Sequence, residues 1–522
     1  MSIFNQVQLN KPKSNNFNLS HDVKMSFKMG RIVPIDLIEC IPGDSHQLST
    51  SYILRMAPML APIMHQIKVY THHFFVPNRL VWDNWEDFIT GGEDGTALPG
   101  FPTASVGNAQ VPEGSIGDYL GLPTDMGTNH QLSVIPGAGY NLIWNEYFRD
   151  QNLGTEYETK CSNGTGGNNA TIRSTYTAEP FKRAWAHDYF TSALPWTQKG
   201  VEATIPLGTN APLYFDTTNG NLPNKLVDAQ GNPLAGATDT LFGKVNANDY
   251  TGTIRTDAGT QAFIDNSSKL KVDLTQATAS SIIDLRRAFK LQEWLERNAR
   301  GGSRYVESML AHFGVRSSDK RLQRPEFIGG SVSQIKVSEI AQTSANLDDV
   351  TSPATLYGYG LSTDSTRTFK YYAEEHGYIF SFISVMPKGT YQQGIPKTFI
   401  KNNKFDYYYP SFAHIGEQPI LNKELWVGSN ANENDETFGY TPRYAEYKFK
   451  MNRVAGSMRT SLDYWHMGRK FNNKPVLNED FISCDPTERI FFVENNTEHI
   501  YGHIYNKVKS RRLMPYFGNP KL

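Results

Sequence analysis

The sequence predicts a mainly β chain: one β-sandwich whose connections carry large loop and helix insertions. Two observations lead there. Runs rich in β-branched and aromatic residues recur at 31–39, 46–56, 64–76, 331–340, 376–386, 441–450 and 488–509, set apart by Gly, Pro and Asn clusters. They fall into an N-terminal and a C-terminal group, and neither has enough strands to close two sheets alone. Length alone, 522 residues, would suggest roughly three domains. The split pattern argues instead for a single sandwich with the middle of the chain inserted into it.

Taken in order, residues 1–30 form a basic arm, since Lys11, Lys13, Lys24 and Lys28 face Asp22 alone. Residues 31–202 hold the first part of the sandwich with long insertions. Residues 203–280 are poor in charge and rich in Gly, Asn, Thr, Ala and Asp. Tyr214, Phe215, Leu241 and Phe242 there suffice for a small satellite core, so an ordered protrusion is expected rather than a linker. Residues 281–330 are an amphipathic helix and a return segment. At 100° per residue Leu285, Ala288, Phe289, Leu291, Leu295 and Ala299 share a packing face, opposite Arg286, Lys290, Arg297 and Arg300. Gly301 and Gly302 end the helix. Its basic face meets either water or an acidic partner. Residues 331–510 complete the sandwich, and 511–522 form a basic tail.

The formal net charge of −1 excludes both a polyanion mimic and a uniformly basic nucleic-acid binder. Cys40, Cys161 and Cys484 are odd in number and fit no zinc or redox spacing, which leaves them as packing residues. The N-terminus lacks an apolar signal region and no apolar run is long enough to span a bilayer, so a soluble chain is expected. No G-x-S-x-G elbow, P-loop, H-E-x-x-H or G-x-G-x-x-G after a strand is present, and the chain is not expected to be an enzyme. His72 and His73 are adjacent on a strand and point to opposite faces, so they cannot chelate together; His73 lines up with Ile67, Val69 and Phe75 as a core histidine. No cofactor or metal site is predicted. Paired carboxylates drawn from separate strands would escape such a reading.

The last strand region carries the most chemistry. From 498 to 509 the chain alternates with period two, Ile500, Gly502, Ile504 and Val508 on one face, His499, Tyr501, His503, Tyr505, Lys507 and Lys509 on the other. Rings stack on unpaired bases and ammonium groups neutralise phosphates. The second face therefore suits single-stranded nucleic acid, or is simply solvated.

Several motifs together resemble one family, the major capsid proteins of the Microviridae, in particular the gokushovirus branch of single-stranded DNA bacteriophages. They include FNLSHDVKMSF (Phe17 to Phe27), IPGDSHQL (Ile41 to Leu48), FFVPNRLVWDNWEDF (Phe74 to Phe88), YNLIWNEYFRDQNL (Tyr140 to Leu153), DYFTSALPWTQKG (Asp188 to Gly200), RLQRPEFIGG (Arg321 to Gly330) and FGYTPRYAEYKFK (Phe438 to Lys450). The resemblance implies an eight-stranded viral jelly roll, sixty copies of which form a T=1 icosahedral shell around circular single-stranded DNA. It implies a threefold protrusion from residues of about 203–280, used in host attachment. It also implies assembly in the bacterial cytoplasm, with a small basic DNA-packaging protein, a DNA pilot protein and a host cell-surface receptor as partners. On that reading Lys11, Lys13, Lys24, Lys28, Tyr501, Tyr505, Lys507, Lys509, Arg511 and Arg512 face the DNA. Trp82, Trp85, Phe88, Tyr408 and Phe412, with Arg286, Arg297 and Arg300 of the helix, become candidates for subunit contacts; for the aromatics the alternative is the sandwich core. The rival class is a carbohydrate-binding or depolymerising β-sandwich protein.

Overall fold

The computed structural model describes residues 12–107, 111–201, 203, 282–341, 356–493 and 498–518, and the backbone of short strands between 213 and 272. Two antiparallel sheets build the unit formed by Met1–Thr197 and Arg297–Leu522. Their strands are β1 (Asn15–Asn18), β2 (His21–Phe27), β3 (Val33–Cys40), β4 (Ser45–Met56), β5 (Ile67–Pro77), β6 (Glu326–Gln334), β7 (Lys336–Ala341), β8 (Leu356–Ser365), β9 (Phe369–Tyr372), β10 (Gly377–Pro387) and β11 (Ile500–Arg512). The seven-stranded sheet places β11 beside β1 and β2 on one side and β4 on the other, and continues from β4 through β8 to β7, with β9 also on β4. The four-stranded sheet has the order β6-β5-β10-β3.

The two sheets meet through one apolar layer, as in a β-sandwich. Tyr52, Leu54 and Met56 of β4 and Ile500 and Ile504 of β11 pack against Val33 and Ile35 of β3, Ile67 and Val69 of β5, and Ile383 and Val385 of β10. A second apolar cluster covers the other face of the four-stranded sheet. There Phe74, Val76, Phe380 and Phe382 pack under helix α1 (Ile135–Ile143), with Trp82, Ile172 and Phe181. Gly139 lets α1 lie directly on the Phe380 ring, since a Cβ at that position would come within 2.9 Å of it. The strands show the consequence. β10, buried on both faces, is almost continuously apolar, whereas β11 alternates strictly between buried and exposed residues.

Several sequence expectations need correction. Residues 441–450 are not a strand: the strand is Thr437–Pro442, and Tyr444 at φ +61° turns the chain into a short 3-10 turn. Within 488–509 only the part from Ile500 is strand; Ile490 and Phe491 instead plug the core from a loop. The run from Asn15 to Phe27, read as basic arm, pairs with β11 because Val23, Met25 and Phe27 alternate inward. The strand β8 lies in a Gly, Ser and Thr-rich stretch with little apolar signal, and β9 is only the four residues Phe369–Tyr372; both pair with β4. His73 is buried with Nδ1 2.8 Å from Ser381 Oγ, and burial pushes it down to about 4. All three cysteines are buried and unbridged.

The second unit is Gln198–Glu296. Its backbone pairs Leu213–Phe215 with Leu270–Val272, Leu226–Val227 with Phe263–Ile264, and Phe242–Asn246 with Asp249–Arg255, each pairing nested inside the one before. Leu241 lies outside the described residues, as do the side chains of Tyr214, Phe215 and Phe242. Two further helices are α2 (Ile282–Gly301) and α3 (Tyr305–Phe313). The first ends where the glycine pair predicts, with Gly302 at φ +104°. Its expected packing face is largely exposed, however. Only Ala299 is buried, and Phe289 is 67% exposed. Periodicity decides which residues share a face, not what that face meets.

Two predictions follow from the layers. Ile504→Ala should cost about 2–5 kcal/mol in denaturant unfolding, against about 0.5 kcal/mol or less for Tyr501→Ala three residues earlier on the open face. Asp36 of β3 is buried 3.5 Å from His21 Nε2, and burial outweighs the pull of that histidine and of the Leu37 N–H to raise its carboxyl to about 6. A folded value above the unfolded one means stability is full below about pH 4 and lost as the pH rises through 6. Asp36→Asn should remove that loss, at most about 3 kcal/mol, read as the difference between wild-type and variant unfolding curves from pH 4 to 7.

Candidate nucleic-acid interface

The open face of the seven-stranded sheet can be read off its register, because residues directly opposite in an antiparallel ladder point to the same side. One row runs Lys336, Leu361, Arg55, Tyr501, Ser26. The next runs Thr363, Ile53, His503, Lys24, and the one after it Ser365, Ser51, Tyr505, Asp22. Lys507 stands opposite Ser49. Two further rows run Lys370, Gln47, Lys509, Asn18 and Tyr372, Ser45, Arg511, Asn16. Side chains along one strand recur about every 7 Å and neighbouring strands lie about 4.8 Å apart, so these residues form one continuous surface.

That surface is strongly one-signed. Lys24, Arg55, Lys336, Lys370, Lys507, Lys509 and Arg511 stand on these rows against a single acid, Asp22. Asp22 is already engaged, 3.4 Å from His503 Nε2 and 3.7 Å from Lys24 Nζ. Among the described residues Lys507, Lys509 and Arg511 have no ion-pair partner. Between the cations stand the exposed rings of Tyr501, Tyr505 and Tyr372. A flat sheet face with free cations and accessible rings can neutralise phosphates and stack unpaired bases without reading their sequence.

The structure therefore brings Lys24, Tyr501, Tyr505, Lys507, Lys509 and Arg511 together, and separates others from them. Lys13 is exposed ahead of β1, and Lys11 lies outside the described residues. Lys28 is half-buried on Glu179. Arg512 corrects the sequence expectation most clearly. It turns inward, with Nη2 donating to the Glu39 carbonyl and Nε 3.2 Å from the fully buried Asp44 carboxylate. His499 leaves the face too, since it is buried with its ring stacked on Phe491 and Nε2 2.8 Å from the Val493 carbonyl. Sequence reasoning missed Arg55, Lys336, Lys370 and Tyr372. They lie on β4, β7 and β9, and no pattern within one strand reveals which others lie beside it.

The candidates for subunit contacts divide in the same way. Trp82 is 1% exposed and packs with Trp85, Phe88 and Phe101 inside the protomer, its Nε1 donating to Asn163 Oδ1. Arg300 is held by Glu417 and by the Ser192 carbonyl. Arg286 and Arg297 are exposed. Tyr408 is half-exposed beside Tyr407, Tyr409 and Tyr447, and Phe412 is partly covered by Phe405 and Tyr409. Among the described residues no group of three or more His, Cys, Asp or Glu could hold a metal ion, and no helix is long and apolar enough to cross a membrane.

The body is two antiparallel sheets with one open basic face and long excursions between strands. The chain belongs to the phage capsid protein family: residues 5–522 match the family model described as capsid protein (F protein). It is 35% identical to the capsid protein VP1 of Chlamydia phage 1, over 99% of this chain and 97% of that one. It is 36% identical to VP1 of Bdellovibrio phage phiMH2K, over 91% and 89%, and 32% identical to VP1 of Spiroplasma virus 4, over 97% and 94%. The resemblance to Microviridae major capsid proteins read from the motifs is borne out, and the chain is a self-assembling subunit of a virion.

Replacing Lys507, Lys509 and Arg511 together with Ala should weaken single-stranded DNA binding and flatten the slope of log affinity against log salt by about 2, as measured by fluorescence anisotropy over a salt series. Arg512→Ala should behave differently, lowering stability by about 3 kcal/mol because Asp44 loses its cation in a buried setting.

Proposed function

We propose that sixty copies of this chain close into a T=1 icosahedral shell around circular single-stranded DNA, with the open face of the seven-stranded sheet turned to the genome. The observation that carries this is the one-signed face itself, in a chain that matches capsid proteins along its whole length. Cations on several strands release counterions when they meet phosphate, and a sheet presents them at fixed spacing without choosing a sequence. A small basic packaging protein, as the family resemblance implies, would share the neutralisation, which accords with a net charge of −1.

The body of this subunit is an eight-stranded jelly roll on our reading. Taking β2, β3, β4, β5, β6, β8, β10 and β11 as its strands in chain order, the first, eighth, third and sixth lie side by side, as do the second, seventh, fourth and fifth. That is the interleaving a double Greek key requires. The strands β1, β7 and β9 are then additions. Residues of about 203–280 fall between the fourth and fifth strands, in the long excursion from β5 to β6, the position at which a threefold protrusion used in host attachment would emerge. The exposed rings of Tyr407, Tyr408 and Tyr409 and the exposed Arg286 are contact candidates that lie outside the protomer core.

Electron microscopy of particles purified with their nuclease-protected DNA tests the shell directly: closed T=1 particles are expected, and open sheets or small oligomers alone would refute it. Tyr408→Ala should reduce particle yield several-fold while leaving the subunit's circular dichroism unchanged. Deletion of about 208–275 should remove surface density at the threefold axes and leave the sandwich soluble.

A further inference from the structure

A cavity of about 550 Å³ lies on the outer side of the four-stranded sheet, walled in part by Tyr70, Phe148, Arg183, Trp185 and Met386. That volume is in the range that encloses a small ligand. Four arginines line it: Arg149, Arg183, Arg300 and Arg304. Three have a carboxylate of their own, Glu156, Glu417 and Glu307 respectively. Arg183 has none among the described residues. Its Nη1 donates to Ser384 Oγ at 3.0 Å, and its guanidinium lies 4.4 Å over the Tyr70 ring and 5.4 Å from that of Phe148. Among the described residues no hydrogen bond engages its Nε or Nη2.

The acids of the cavity wall do not supply the missing charge. Asp150 Oδ1 accepts from the Asn152 and Leu153 N–H groups, and Glu307 is held by Arg304. The cavity thus holds one guanidinium with no carboxylate partner among the described residues. Ring contacts offset part of the cost of withdrawing a guanidinium from water, but an opposite charge offsets more.

We propose that this cavity is an oxyanion site, in which Arg183 grips a phosphate or carboxylate through Nε and Nη2 in the forked geometry that guanidinium favours. The rings of Tyr70 and Phe148 hold the guanidinium in place for it. Free phosphate and an acidic side chain of a second copy seated against the cavity share this chemistry. The site is separate from the basic sheet face and does not depend on what that face binds.

The test is a titration of inorganic phosphate, at ionic strength held constant with chloride, into purified subunits and into assembled particles, followed by the thermal unfolding midpoint and tryptophan fluorescence. Wild-type subunits should respond saturably, and Arg183→Met should weaken the apparent affinity at least tenfold. Should Arg183→Met fail to fold, Arg183→Gln, which removes the charge and keeps a planar polar end, takes its place with the same expected loss. Saturable binding to subunits and particles alike identifies free phosphate as the occupant; binding to subunits that disappears on assembly identifies a neighbour's side chain. No saturable response in wild-type subunits, or an equal response in the charge-removing variant, overturns the proposal.

Discussion

The rest of this structure depends on an unequal burial of two sheets. One apolar layer, centred on Leu54, Ile504, Val69 and Ile383, joins them. The four-stranded sheet then buries its second face as well, under Trp82, Tyr140 and the helix that rests on Phe380. In the seven-stranded sheet β11 instead leaves every second residue exposed. A strand whose one face is core and whose other is solvent must alternate, and alternation is what frees every second residue for charge. The basic surface of β11 is therefore a product of the same constraint that makes its other face apolar.

Charges in the protein sort by what surrounds them. On the open face, Lys507, Lys509 and Arg511 keep their water and wait for a partner. One residue further along, Arg512 is committed to the buried Asp44 carboxylate, which burial raises and Arg512 partly restrains. Arg183 is the intermediate case, withdrawn from water yet without a counter-charge. Cations of the same formal charge thus stand in three different settings, and the difference is local dielectric and the nearest acceptor.

The legibility of the fold followed the strength of the apolar signal. β3, β4, β5 and β10 were visible to within a few residues because Val33 to Cys40, Ile67 to Pro77 and their neighbours bury long apolar runs. β8 was not, since Gly358, Gly360, Ser362 and Thr363 pair through backbone groups that leave no trace in hydropathy, and β9, though aromatic, is only four residues long. The helix from Ile282 was recognised with its end at Gly301, yet Phe289 and Leu291 proved exposed. Trp82, readable from sequence as either a subunit contact or core, is core, because an isolated aromatic motif reads the same in either place.

By itself the sequence determined the β class, the alternation of β11, the helix from 282, the isolation of the three cysteines and, through its motifs, the capsid family. These are properties of residues close together in the chain, where period and composition are enough. Tertiary structure alone decided that Arg55, Lys336 and Lys370 join Lys507 and Lys509 on one face, that Arg512 turns away from it, and that Arg183 is left without a carboxylate. Each of those outcomes rests on pairing between residues far apart in the chain, and the energy of a charge depends on neighbours that only the folded register supplies.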